Sequence, residues 1–460
     1  MLKQTRDHNF LSITLNRQIS PDFLEQKIEQ KTYSTMVQTR VNLLSVQKTI
    51  RIVLHNLSLC KRNNMQTQQE RHEAQMKAVM PFASMEDLPE SVLDEIAQLS
   101  PHLPVVFILY YGGTIGMNKS RNAFNRIVYG PTDDAKKLLE PLEVKGLKEK
   151  IQVIWVPVYK KAIDSTNGRW VHWVSIGNAI KLLYDKATGF VICGGTDTMA
   201  HMIAAMRFMF PNIGKPIVAT GSQVAMVDLG DDGTNNLYFA ITAAASDLSG
   251  PFLMFGDDLM DGMRVHKVKH TRRQAFACPT QYIVGHYDDQ LRIYPHATRR
   301  NPIVTSKRLI YKPYFREGIK IVKISPATPS ESILHDANDS TCSAMLIITF
   351  GAGNVRDEDI VEEVPSHIDC LWQLYQRRYP VVLGSSMMDG VVDSHYETGT
   401  KAVSDKEGEG NAISAGSTTG PLLEVKCMVA LAQAWDQTSK MLDYNKFRAS
   451  MERDHIGELT

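Results

Sequence analysis

Residues 104-PVVFILYYGGTIGM-117 run from an uncharged, β-branched and aromatic stretch straight into Gly112, Gly113 and Thr114. An apolar run of this length bounded by glycines reads as a strand buried on both faces. Glycines placed directly after it allow positive φ and bring the backbone close to whatever the turn holds, which suits a small ligand at the strand's carboxyl end. A tight strand-to-helix turn with Thr114 as the helix N-cap accounts for the same residues. This stretch alone favours neither.

A second stretch, 189-GFVICGGTDTMAH-201, repeats the arrangement: an apolar run, then Gly194, Gly195, Thr196 and Asp197. Helix capping explains each hydroxyl singly but not two Gly-Gly-Thr turns in one pattern. Between and around them, strand-like runs alternate with helical periodicity. VVFILY, IQVIWVPV (151–158), GFVIC and KPIVATG (215–221) are the strands; WVHWVSIGNAIKLLYD and MAHMIAAMRFMF are helices. The alternation predicts an α/β fold, a doubly wound parallel sheet, in which the crevice at the strands' carboxyl ends would gather Thr114, Thr196 and Asp197. The pattern continues through the helical NNLYFAITAAASDL and the strand PFLMFGDD to about residue 258. It restarts after a basic, Pro-containing stretch at 290–316, with GIKIVKIS, AMLIITFGAGN, a helix near 366–377, VVLGSS and a helix in PLLEVKCMVALAQAW. The expected organisation is an N-terminal extension over 1–100, a larger N-terminal domain over 101–300, a linker over 301–317, a smaller C-terminal α/β domain over 318–445 and a tail over 446–460.

Composition narrows the class of partner. In 460 residues, 51 Lys and Arg nearly cancel 50 Asp and Glu, and no basic stripe with interleaved aromatics occurs, so a nucleic-acid partner is not expected. The six cysteines lack CxxC spacing, and two lie inside apolar runs, which predicts free thiols, a reducing compartment and no zinc site. No apolar run approaches the roughly 18 residues of a membrane span. A cytoplasmic protein without membrane attachment is the expectation, and its partner is a small molecule.

Neither GGTIG nor GGTDT fits a phosphate-cradling pattern, and no lysine directly follows either turn to reach a phosphate. The threonines therefore read as chemical groups, and a threonine needs a neighbouring base to act as a nucleophile. Lys267, in DGMRVHK just beyond a strand end, is a candidate, although lone lysines in such places are more often solvated.

In order along the chain, YYGGTIGM, GGTDTMA, GKPIVATGSQ, DDGTNNL, DGMRVHK and AFACPT resemble the successive signatures of the bacterial-type L-asparaginases. The GGTIGM and AFACP forms resemble the cytosolic type I branch. The resemblance spans roughly residues 104–437 and is strongest over 104–285. It implies a larger N-terminal and a smaller C-terminal α/β domain, a homodimer or homotetramer, and hydrolysis of L-asparagine to L-aspartate and ammonia with no cofactor and no metal. Carried onto this sequence, Thr114 is the nucleophile. Thr196 and Lys267 relay a proton, and Asp197 holds the substrate's α-amino group. Ser165 binds the α-carboxylate and Thr166 adjoins it on the substrate side. The lid tyrosine of the family falls on Phe124 by simple spacing or on Tyr129 by its Tyr-x-Pro context, and Tyr129 is preferred.

The sequence also departs from the family. Tyr111 stands where a threonine usually precedes the first Gly-Gly, and Gly194 where a histidine usually precedes the second Gly-Thr. At the positions of the regulatory asparagine site of type I relatives it has Thr349 and Met387 in place of an arginine and a cysteine, with Asn354 retained, so that site is not expected. Two other functions share these motifs: an ammonia-supplying subunit of a tRNA-dependent amidotransferase, and a non-catalytic amino-acid sensor. Retention of Thr114, Thr196, Asp197 and Lys267 together favours the hydrolase.

Overall fold

The computed structural model describes residues 82–131, 135–143, 146–305, 307–359, 363–392, 397–403 and 412–459. All lie in the second of the chain's two compact units, residues 65–460. Most of the extension expected over 1–100 is outside the described residues; its last part forms helix α1 (Glu90–Ala97), which buries Val92.

The strands that the apolar runs predict are present: β1 (Val105–Tyr110), β4 (Gln152–Pro157), β5 (Gly189–Cys193), β6 (Pro216–Thr220) and β7 (Gly250–Phe255). The hairpin β2 (Met117–Arg121) and β3 (Ile127–Pro131) falls between the first two. Antiparallel β8 (Asp258–Asp261), β11 (Ile283–Tyr287) and β12 (Leu291–Ile293) extend one edge, giving the order β12-β11-β8-β7-β6-β5-β1-β4. Strands β4, β1, β5, β6 and β7 run parallel. Successive residues of β1 point to opposite faces, as strand geometry requires. Phe107 and Leu109 join the core beneath helices α2 (Trp170–Leu183) and α3 (Met199–Met209), while Val106, Ile108 and Tyr110 join the core beneath α4 (Gly233–Ala244).

The chain steps from β1 outward to β4, then returns to the other side of β1 for β5, so the sheet has its topological switch at β1. In doubly wound sheets that is where a ligand crevice opens.

The smaller sheet is parallel, β13 (Ile319–Lys323), β14 (Ala344–Thr349), β15 (Val381–Ser385) and β16 (Ile413–Ser414). Helix α5 (His367–Gln376) covers one face. Helices α6 (Gly420–Ala434) and α7 (Tyr444–Glu452) cover the other. Helix α6 is apolar nearly all round because it is buried on two sides. Leu422, Val425 and Val429 enter the core of the larger sheet, and Leu423, Cys427, Ala430 and Leu431 that of the smaller.

Two segments read from sequence as a linker and a tail are packed. In 301–317, Phe315 is buried edge-on to Trp173, and the Arg316 guanidinium stacks 3.5 Å over the Trp435 ring. In 446–460, Phe447, Met451 and Glu458 are buried. Among the described residues, no helix is long and apolar enough to cross a membrane.

Candidate active site

Parallel pairing of β1 with β5 sets Tyr110 opposite Cys193, so the two Gly-Gly-Thr turns leave the sheet side by side. Their glycines interlock. Gly112 and Gly113 have φ of 130° and 87°, a region hostile to other residues. A Cβ on Gly113 would lie 2.1 Å from the Gly195 nitrogen, and one on Gly112 would lie 2.2 Å from the Ile163 carbonyl oxygen. The turn at 163–167 closes the group, since a Cβ on Gly195 would lie 2.5 Å from Ser165 Oγ. Three backbone turns thus meet at contact distances that leave no room for side chains between them.

Thr114 opens a short 3-10 turn, Thr114–Gly116, directly after these glycines and is partly exposed. Thr196 is buried in the neighbouring turn and receives a hydrogen bond from Lys267 Nζ at 2.7 Å. The same nitrogen donates to Asp197 Oδ1 at 2.6 Å. Lys267 reaches both from β9 (His266–Lys267), which pairs with β10 (Phe276–Ala277). The Asp197 N–H donates to Ser165 Oγ at 3.3 Å, that hydroxyl lies 3.4 Å from Asp197 Oδ2, and the Thr198 hydroxyl donates to the Ser165 carbonyl at 3.0 Å. Thr196, Asp197, Lys267 and Ser165 therefore form one network around the turns.

Thr166 is exposed, with its N–H and its hydroxyl both donating to Asp164 Oδ1 at 3.0 Å. Tyr129 lies in the β2–β3 hairpin, where its phenol donates to Asp228 Oδ2 at 2.8 Å. Lys119, opposite it in the hairpin, forms an ion pair with the same carboxylate. Together they hold the Asp228 carboxyl below its usual range. Phe124, the alternative lid residue, sits at the hairpin tip, 83% exposed. In the smaller domain the Thr349 hydroxyl is buried and donates to the Gly384 carbonyl at 2.9 Å, so the residue at that position is committed to backbone.

The residue that sequence reading passed over is Tyr111, noted only as a departure. Its ring is buried, its hydroxyl donates to the Gly195 carbonyl at 3.2 Å, and a Cβ on Gly194 would lie 1.9 Å from its Cε1. A cleft of about 310 Å3 lined by Asp232, Asn236, Phe239, Asp257, Arg272 and Gln274 includes none of Thr114, Thr196, Asp197 or Lys267.

Chemically, the arrangement supplies a hydroxyl on a glycine turn, a second hydroxyl joined to an amine, and a carboxylate beside them. That set suits attack on a carbonyl carbon with a proton moved through Thr196 and Lys267.

The chain is similar in sequence and in structure to known proteins. Residues 105–299 match the family model for the asparaginase N-terminal domain. An L-asparaginase of Dirofilaria immitis is 28% identical over 64% of this chain, a stretch that spans 52% of that relative, so about half of its length is matched. L-asparaginase 1 of Escherichia coli is 28% identical over 77% of this chain and 98% of its own. The solved structure of the thermostable L-asparaginase from Thermococcus kodakarensis superposes with a TM-score of 0.62 at 25% identity, covering 77% of this chain and 99% of that one.

Proposed function

The chain belongs to the asparaginase family, and from that premise we propose that it hydrolyses the side-chain amide of L-asparagine to L-aspartate and ammonia with Thr114 as the nucleophile. The observation that carries the proposal is Lys267 Nζ, placed 2.7 Å from the Thr196 hydroxyl on the turn beside Thr114. An amine on a lone surface lysine has no such partner.

In the proposed sequence, Thr114 Oγ attacks the amide carbon while its proton passes toward Thr196 and Lys267. The carbon–nitrogen bond then breaks, the leaving nitrogen takes a proton and departs as ammonia, and water cleaves the resulting ester to release aspartate. The developing oxyanion needs donors fixed in advance. The Thr196 N–H, which no described residue accepts, is available for that task. Asp197 and Ser165 bind the α-amino and α-carboxylate groups, and Tyr129 closes the site from the hairpin. The substrate's ammonium would take the place that Lys267 occupies on Asp197 here. Assembly as a homodimer or homotetramer belongs to the same proposal and is read by light scattering.

The test is ammonia release by the purified protein from L-asparagine, D-asparagine and L-glutamine, with Thr114→Val as the control. We expect release from L-asparagine, abolished in Thr114→Val. Absence of release from every substrate would leave the site as a binding pocket without turnover.

A further inference from the structure

We propose that Tyr111 is a positioning residue for this reaction, its hydroxyl setting the Gly195–Thr196 peptide and its ring replacing a side chain at position 194. The proposal rests on the asparaginase reading and adds to it a residue outside the substrate's reach.

The argument begins with Gly194. Among the glycines of the three turns, Gly112 and Gly113 have positive φ, but Gly194 and Gly195 do not. The backbone at 194 would therefore accept any residue, and space alone forbids one. A Cβ there would lie 1.9 Å from Cε1 and 2.1 Å from Cζ of Tyr111, inside the ring's own van der Waals surface. The two departures from the family pattern, a large residue at 111 and the smallest at 194, are thus one exchange made at two positions that touch.

The hydroxyl adds a second contribution. It donates to the Gly195 carbonyl at 3.2 Å from a ring that is only 4% exposed. A trans peptide is planar, and its carbonyl and N–H point in opposite directions. Holding the Gly195 carbonyl toward the buried phenol therefore directs the Thr196 N–H away from the core. That N–H belongs to the residue whose side chain receives Lys267. Burial pushes the Tyr111 phenol far above its usual pKa, so it remains a donor at any working pH.

Four variants test this, each assayed on L-asparagine and melted in parallel. Tyr111→Phe keeps the ring over Gly194 and removes the hydrogen bond. We expect kcat to fall ten- to a hundredfold with KM changed less than threefold, because the donor acts on the transition state. Gly194→His alone should lose at least as much activity and melt earlier, since its side chain meets the ring. The double variant Tyr111→Thr/Gly194→His should exceed Gly194→His in both kcat and Tm, with Tyr111→Thr closing the cycle. A wild-type kcat in Tyr111→Phe, or a fall in its Tm alone, overturns the positioning role. A double variant no better than Gly194→His overturns the exchange. A wild-type protein that releases no ammonia defeats the asparaginase reading instead, and the melting temperatures still decide whether 111 and 194 are coupled.

Discussion

A single nitrogen, Lys267 Nζ, joins a buried hydroxyl to a carboxylate whose side chain is half exposed. The lysine's own side chain is only 19% exposed, so both contacts are held within the fold. We expect Lys267→Met and Thr196→Val each to lower kcat by several orders of magnitude, and the double variant to lose little more than either alone, as the proposed relay requires. Asp197→Asn should chiefly raise KM. Steady-state kinetics of the three single variants and the double checks all of this, and additive losses would separate the lysine from the threonine. At this scale the sequence was unevenly legible. Thr114 and Thr196 stood out because the same Gly-Gly-Thr pattern followed two apolar runs. Lys267 was legible only as one candidate beyond a strand end, because its strand is two residues long and its partner lies 71 residues away, and its role came from the resemblance. The contact of Tyr111 with Gly195 spans 84 residues and left no local pattern.

Periodicity found the buried parallel strands because each is long, continuous and apolar. It missed β2 and β3, since MNKSR has no apolar alternation and the hairpin stands in solvent. What shapes it is the turn, where Asn125 takes a φ of 58° and Asn122 Oδ1 accepts from the N–H groups of Phe124 and Arg126. The hairpin gives Tyr129 a fixed place and a partner in Asp228. Tyr129→Phe keeps the ring and removes the oxygen, and kcat should fall about tenfold to a thousandfold if the phenol completes the site on closure. An unchanged kcat would assign the hydroxyl to the Asp228 contact alone. Helix α5 offers a test by pH. Burial, with the Arg356 guanidinium second, holds the His367 imidazole down at about 4 against an ordinary 6.5. The folded residue stays neutral while the unfolded chain takes a proton below about 6.5. Its contribution to stability is therefore complete above that pH and is lost progressively as pH falls toward 4. Melting curves from pH 7.5 to 4.5 should show this acid slope, and His367→Gln should flatten it.

The whole molecule depends on a junction that local pattern could not reveal. Helix α6 was legible as an apolar helix, but its two burial faces follow only from seeing both sheets. Lys426, on that helix, forms a fully buried ion pair with Glu458 at 2.8 Å. The Glu458 carbonyl in turn accepts from Arg264 at 2.9 Å and Thr418 at 3.2 Å, and Arg264 also donates to the Ser417 carbonyl. Arg264 stands three residues before Lys267. Gly420, with a φ of 52°, is pressed against His266, where a Cβ would lie 2.1 Å from the imidazole Cε1. Removing one partner from a buried ion pair costs about 3–5 kcal/mol. A chain stopped after Arg453 should therefore melt several degrees earlier and lose more than tenfold in kcat, while a Glu458→Gln chain keeps the carbonyl contacts and most of the activity. Equal kcat in the shortened chain would detach this junction from the lysine.

That contact also sets an order in time. Arg264 leaves the ribosome 194 residues before Glu458, a delay of roughly ten seconds or more at ordinary rates of synthesis. Throughout it, a growing chain already carries both glycine turns, yet its lysine segment lacks the Glu458 contact. The full rate should therefore be reached only once the last helix and the loop after it are in place.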